Sequence, residues 1–192
     1  LLDTLAYNTH YMAFNANMVA NEMFLDSSSL RSSAVSHAKM LGYEVSSARA
    51  PKAVINVNIQ TSDATKTMSA GTAFSTTVDG VNYQFVTIAD RTGSNSGNVI
   101  TFDSTEIYEG TYVIGKTIVD TSNPDQKFTL TDPNADTSTL TVKVQNSTSD
   151  TTTTTYTKAT DITQLNASST VYYLQEAERG RFEVYFGDGV VS

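Results

Sequence analysis

The acidic turn at residues 132–136, Asp-Pro-Asn-Ala-Asp, is the pattern in this chain that most resembles a metal-binding loop. Its spacing matches the start of a calcium loop, in which oxygen ligands recur at every second residue. Such a loop also needs glycine at its sixth position and a carboxylate at its twelfth, which here are Thr137 and Lys143. Because the lysine ammonium would repel the cation, we expect a proline-containing turn between strands rather than a calcium site.

The two histidines, His10 and His37, are the other candidates for metal binding. No HExxH pattern places two imidazoles on one helix face. The chain also has no cysteine, which excludes thiolate sites and disulfide scaffolds. The sequence therefore predicts no metal site and no cofactor, and we expect His10 to be solvated or at an interface.

Four carboxylates lie close together near the end of the chain: Glu176, Glu178, Glu183 and Asp188. A glycosidase needs two carboxyl groups at a fixed separation, one of them in an apolar pocket, and the sequence shows neither feature. Glu176 and Glu178 lead into Arg-Gly-Arg at 179–181, a pattern typical of an exposed connector. No catalytic residue is predicted; a cell-wall hydrolase that depends on Glu183 or Asp188 remains one alternative.

The charge balance excludes one large class of partners. The 192 residues carry a net charge of −8, and only 17 % of them are charged. A phosphate backbone needs a basic stripe, which is missing, and no apolar run approaches the ~20 residues that cross a bilayer. The sequence therefore predicts neither nucleic-acid binding nor membrane insertion.

Residues 1–26 read as one helix whose apolar side chains lie on more than one side. One seam recurs at alternating steps of four and three residues. A second stripe runs beside it, so the apolar arc is wider than one partner helix needs. Within the first seam, Asn21 either fixes register in a buried position or lies at the wet edge. We expect this seam to contact other chains or domains: Tyr7, Tyr11, Phe14, Met18, Asn21 and Leu25.

A second helix is predicted at residues 30–41, with Gly42 as the residue that ends it and Ala50-Pro51 preventing its continuation. The connection between the helices is short, which predicts a helical hairpin. Residues 1–50 are therefore assigned to a helical assembly segment.

The rest of the chain, 51–192, reads as a mainly antiparallel β domain, so the predicted class is α+β. Apolar and polar residues alternate at 52–60, and Asp79-Gly80 predicts a type I′ hairpin turn. Residues 91–98 are expected to form a loop, and 99–102 and 108–119 are expected to form strands that are broken by Gly110 and Gly115. The region at about 120–166 is poor in large apolar residues and could be a small inserted β subdomain.

Six short sequence patterns together resemble the baseplate wedge proteins of contractile-tailed phages, which are related to the baseplate J-like family. AYN at 6–8 precedes NE at 21–22 and FLD at 24–26, and a second helix ends in LGY at 41–43. GTAF at 71–74 and FGDG at 186–189 are similar to two strand signatures of that family. The residues from about 120 to 166 have no counterpart in this pattern.

The resemblance implies a structural protein of the virion tail baseplate, assembled in the host cytoplasm and without catalysis. It implies that the chain joins neighbouring wedge subunits into a ring around the tail hub. The partners would be other wedge subunits and a second copy of the chain.

One further alternative comes from the residues themselves. A carbohydrate-binding module of the tail-fibre or adhesin kind would need aromatic side chains that form a platform for a sugar. The candidates are Tyr83, Tyr108, Tyr112 and Tyr156.

Overall fold

The computed structural model describes residues 2–120, 122–123, 125–160 and 165–187. Two helices are followed by mainly antiparallel strands, which confirms the predicted α+β class. The chain divides into two compact units. The first, here the helical unit, comprises Leu1–Ser47, Ser122–Ala135 and Val142–Ser192, and the second, the central unit, comprises Ala48–Thr121 and Asp136–Thr141. The helices are thus grouped with the later strands, whereas the sequence placed a division at residue 50. That residues 1–50 act as a separate assembly segment stays a prediction.

The helical unit begins with α1 (Leu2–Glu22) and α2 (Arg31–Met40). α1 ends four residues earlier than predicted, where the Ser27 hydroxyl donates to the carbonyl of Asn21 at 2.6 Å. The end of α2 is as predicted. Gly42 has a φ of +76°, its N–H donates to Lys39, and the N–H of Tyr43 donates to Ala38. These two bonds form a Schellman motif, which needs a left-handed residue at this position.

The sheet of the helical unit contains β7 (Lys127–Thr129), β8 (Val142–Gln145), β9 (Thr153–Lys158), β10 (Val171–Glu176) and β11 (Phe182–Tyr185). Its order is β7-β11-β10-β9-β8, and all neighbours are antiparallel except β9 and β10. Strands from the region suggested as an insert therefore share a sheet with β10 and β11. Its buried hydrophobic residues lie on these last two strands: Val171, Tyr172, Leu174, Phe182 and Val184.

The central unit contains one sheet of six strands: β1 (Lys52–Gln60), β2 (Thr65–Met68), β3 (Ala73–Val78), β4 (Val81–Val86), β5 (Arg91–Ser96) and β6 (Val99–Glu109). The order is β2-β5-β6-β4-β3, and β1 pairs with β6. Met68, Ile100 and Phe102 form its core. The predicted turn is confirmed, because Asp79 and Gly80 have φ values of 51° and 79° between β3 and β4.

The predicted loop at 91–98 is wrong. Residues 91–96 form β5, which returns through Gly97 and Asn98 into β6. The polar, glycine-containing sequence does not look like a strand, but packing explains why glycine occupies position 93. A Cβ at this position would lie 2.5 Å from Cγ2 of Ile100, so only glycine lets β5 approach the core.

The predicted strand at 108–119 is also wrong beyond Glu109. β6 runs without a break from Val99 to Glu109, and the chain then turns at Gly110, which has a φ of +126°. Residues 111–119 lie outside the strands and helices. Their strand-like composition therefore finds no neighbouring strand in the described part of this chain.

Candidate assembly surface

The six side chains predicted to make contacts lie on α1 and the turn that follows it. We call them the α1 surface: Tyr7, Tyr11, Phe14, Met18, Asn21 and Leu25. The five apolar members are between 42 % and 69 % exposed, and Asn21 is exposed as well. No residue of α1 is buried. The structure thus places five of the six residues on α1 and Leu25 in the turn after it, and leaves all six uncovered in a single chain.

The second apolar stripe of α1 is exposed to the same degree. Leu5, Met12 and Val19 are each at least 65 % exposed, as is Met23 directly after the helix. Tyr7 and Tyr11, one turn apart, stack with ring centroids 6.4 Å apart and an interplanar angle of 11°. α1 therefore presents apolar side chains on more than one side, as its spacing predicts, and packing against α2 does not cover them.

Glu22, the last residue of α1, connects the two helices. Its carboxylate accepts from the Ser29 amide at 2.8 Å, the Ser29 hydroxyl at 2.6 Å and the Leu30 amide at 3.3 Å. Its carbonyl oxygen lies 2.8 Å from Nε2 of His37. Leu30, the N-cap of α2, has no capping side chain, so Glu22 satisfies donors that the start of α2 would otherwise leave open.

The electrostatics of this joint favour the ionised carboxylate. Hydrogen bonds from the side chains of Ser29 and Ser33 and from the Ser29 amide lower the pKa of Glu22 from 4.5 to about 2. The start of α2 also carries a partial positive charge that a carboxylate complements. Sequence reasoning missed this role, because Glu22 lies seven residues from Ser29, too far for a capping box.

Strand β10 holds α2 through a buried acid. Arg31 donates from Nε and Nη2 to the two carboxylate oxygens of Glu176 at 2.9 and 3.1 Å. Lys39 donates to the Glu176 carbonyl at 2.8 Å. The Glu176 side chain is 3 % exposed, whereas that of Arg31 is 64 % exposed. A buried carboxylate is tolerated only when it is paired, so both ends of α2 are fastened to one residue of β10.

A further ion pair ties the chain after α2 to the same sheet. Lys158 of β9 pairs with Glu44, two residues beyond Gly42. Sequence reasoning did not find these pairings, because their partners lie more than a hundred positions apart. It assigned Glu176 to an exposed connector, which is wrong, since Glu176 is buried at the end of β10.

The acidic turn uses its carboxylates within the protein. Asp132 accepts from the Asn134 amide at 2.8 Å, and Asp136 accepts from Ser138 and from the Ala50 amide. Within the described ranges, no three histidine or acidic side chains are grouped so that they could hold a metal ion. Neither described helix has the length and apolarity to cross a membrane.

The residues of the two alternatives also have structural contacts. Glu183 accepts from Gln175 and pairs with Lys127 at 3.2 Å, and Asp188 lies outside the described residues. Tyr108 donates to Glu106 at 2.9 Å, and Tyr156 packs edge-on against Phe186. Tyr83 and Tyr112 are exposed, at 36 % and 38 %. Tyr156 belongs to the helical unit and the other three tyrosines to the central unit.

Comparison with known proteins identifies the relatives of this chain. A family model described as the third domain of bacteriophage baseplate wedge protein gp6 matches residues 113–192. Baseplate wedge protein gp6 of Enterobacteria phage T4 is 28 % identical over 199 residues, which cover 100 % of this chain and 29 % of that protein. The chain is similar to phage baseplate wedge proteins. The resemblance inferred from its sequence patterns is thereby confirmed.

Both comparisons thus lead to proteins that are described as parts of the phage baseplate wedge. The chain spans less than a third of the length of the T4 relative. The T4 alignment includes α1, whereas the family model begins at residue 113. The α1 surface therefore lies in the part of the chain outside the family model.

Proposed function

We propose that this chain joins neighbouring baseplate wedge subunits into the ring around the tail hub, and that the α1 surface makes the joint. One observation carries the proposal. α1 is 21 residues long, contains no buried residue and exposes apolar side chains on more than one side. The similarity to baseplate wedge proteins also supports the proposal, because those proteins are parts of an assembly.

A helix that packs against nothing gains little stability in water. Helices gain most of their stability from packing an apolar face, and contiguous exposed apolar surface marks contact sites. Only Asp3 and Glu22 carry full charges in α1, so water has little to solvate on either stripe. Helices from partner chains would bury both stripes. We propose other wedge subunits and a second copy of this chain as those partners.

The proposed role includes no catalysis. Of the residues considered for chemistry, Glu176, Glu183, Tyr108 and Tyr156 are engaged in contacts within their own units, which supports a structural protein. We further propose that the chain assembles in the host cytoplasm before it enters the virion.

The proposal is tested by Met18→Asp, which places a charge in the middle of the α1 surface. We expect the association constant to fall by at least about thirtyfold, since central interface residues contribute about 2 kcal/mol or more. Sedimentation and light scattering would measure this with the partner wedge subunits and with the chain alone. Urea unfolding should stay unchanged, because Met18 is 42 % exposed and α1 buries no residue.

Asn15→Asp is the matched control. It adds the same charge one turn earlier on the polar line of α1 that includes Asn8 and Glu22. We expect it to leave association unchanged. Equal association of both variants and the natural chain would refute the proposal. Unfolding of the helical unit by Met18→Asp alone would show that α1 belongs to an internal core.

A further inference from the structure

The strands at the edges of the two sheets differ in how they are protected. Among the described strands, β1, β2, β3, β7 and β8 each pair with a single neighbour. Edge strands usually carry a charge, a proline or a bulge that prevents pairing with another chain. Four of these five have a lysine: Lys52, Lys66, Lys127 and Lys143. β3 has the sequence Ala-Phe-Ser-Thr-Thr-Val and none of these devices.

β3 and β4 form an arm that is uncovered over most of its length. All residues from Ser75 to Gln84 are exposed, and Val78 and Val81 at its end are each 53 % exposed. The two-residue turn makes Val78 and Val81 a hydrogen-bonded pair, so every second residue of β3 bonds to β4. The N–H groups of Ser75 and Thr77 therefore point away from β4, toward the free edge.

The same chain contains a strand-like segment without a sheet. Residues 111–119 read Thr-Tyr-Val-Ile-Gly-Lys-Thr-Ile-Val, of which seven are β-branched or aromatic. In the described ranges, the backbone of this segment makes no hydrogen bond to another part of the chain. Its four aliphatic side chains are all more than half exposed: Val113, Ile114, Ile118 and Val119.

We propose that residues 113–119 of one copy add as a strand to the free edge of β3 in a second copy. The β3 edge has unpaired backbone groups, and the backbone of residues 113–119 has no neighbouring strand. Adding the segment to the edge would form backbone hydrogen bonds that pair both. Six residues of β3 and seven of the segment have similar extended lengths, roughly 20 and 23 Å. Lys116 is the only charge of the segment and Asp79 the only charge of the arm, and their signs are opposite.

The course of the chain favours a second copy over its own β3. Gly110 donates to the Gln84 carbonyl, on the side of β4 that faces β6. Tyr112 then packs at Gly71, where an added Cβ would lie 3.1 Å from its ring. With these anchors in place, the segment that follows is still unpaired within the described part of its own chain. The pairing does not involve α1, so it stands apart from the proposed wedge joint.

Residue-resolved hydrogen exchange at several protein concentrations tests the pairing. The full chain would carry Met18→Asp, so that the proposed α1 association does not contribute. We expect exchange of the 113–119 amides and of the Ser75 and Thr77 amides to slow by at least about tenfold as concentration rises. Exchange that is fast at every concentration would overturn the proposal. Protection that is independent of concentration would place the strand on its own chain and overturn it as well.

Two substitutions of equal charge sharpen the test. Thr77→Lys adds a charged side chain to the free edge, and Asn82→Lys adds it to the paired strand opposite. Both remove the same hydrogen bond, from the Thr77 hydroxyl to the Asn82 side chain at 2.6 Å. We expect only Thr77→Lys to abolish the concentration-dependent protection. Equal loss in both variants would contradict pairing at the β3 edge.

A change in the segment gives an independent check. Gly115→Pro removes an N–H at a position where a Cβ would meet no atom within 4 Å, so the single chain should tolerate it. We expect Ser75 and Thr77 to lose their protection although β3 itself is unchanged. If their protection persists, the segment is not the strand that covers this edge.

Discussion

The two helices of the helical unit are held by different means. α1 has 21 residues and buries none of them, whereas α2 has only 10 and is held by contacts at both of its ends. Glu22 accepts a hydrogen bond from the Ser29 amide just before α2, and Glu176 accepts hydrogen bonds from both Arg31 and Lys39. The Gly42 amide donates to the Lys39 carbonyl at the end of α2. α2 therefore belongs to the fold of the single chain, while α1 gains little from it. This contrast supports the proposal that other chains cover α1.

The largest expected difference between the two helices is in the free energy of unfolding after each is deleted. Removing residues 1–21 leaves Glu22 and α2 in place, so we expect the free energy of unfolding to stay the same. Removing residues 1–47 leaves Glu176 buried without its partners, and we expect a loss of about 2–4 kcal/mol, reduced because Arg31 is largely exposed. Urea unfolding measures both. Equal stability of the two truncated chains would mean that α2 is not part of the fold.

The features of α1 could be predicted from the sequence, whereas the contacts that hold α2 could not. The apolar stripes of α1 were readable because helical spacing is local and no tertiary contact alters it. The turn at Asp79-Gly80 and the helix end at Gly42 were readable because each needs a particular local conformation. The contacts of Glu22 were not readable, because Ser29 lies seven positions away and so beyond a capping box. Those of Glu176 were not readable, because Arg31 lies 145 positions away.

The central unit shows where local composition misleads. Residues 91–96 look like a loop but form β5, since pairing with β2 and β6 overrides their weak strand propensity. Residues 111–119 look like a strand but have no partner in the described part of the chain. In both cases the deciding factor is the presence of a neighbouring strand, which a local pattern does not contain.

A single substitution should show a smaller loss at the contact between α2 and β10. Arg31→Ala leaves the buried Glu176 carboxylate without its charged donors, and we expect a cost of about 1–3 kcal/mol. The double change Arg31→Ala with Glu176→Gln should recover part of it, because a neutral amide is cheaper to leave unpaired. Urea unfolding of the four chains in this cycle measures the coupling, and additive losses would contradict a direct pair.

The smallest expected effect concerns Glu22 and has a defined pH dependence. Folding lowers the pKa of Glu22 from 4.5 to about 2, so its contribution to stability is present above pH 4.5 and is lost as the pH falls to about 2. The natural chain should therefore lose protection at the Ser29 and Leu30 amides across this window. Glu22→Gln should lack this dependence, because the amide does not ionise. An NMR titration of the carboxyl carbon checks the cause directly, and a midpoint near 4.5 would show that the Glu22 carboxylate does not hold the start of α2 in solution.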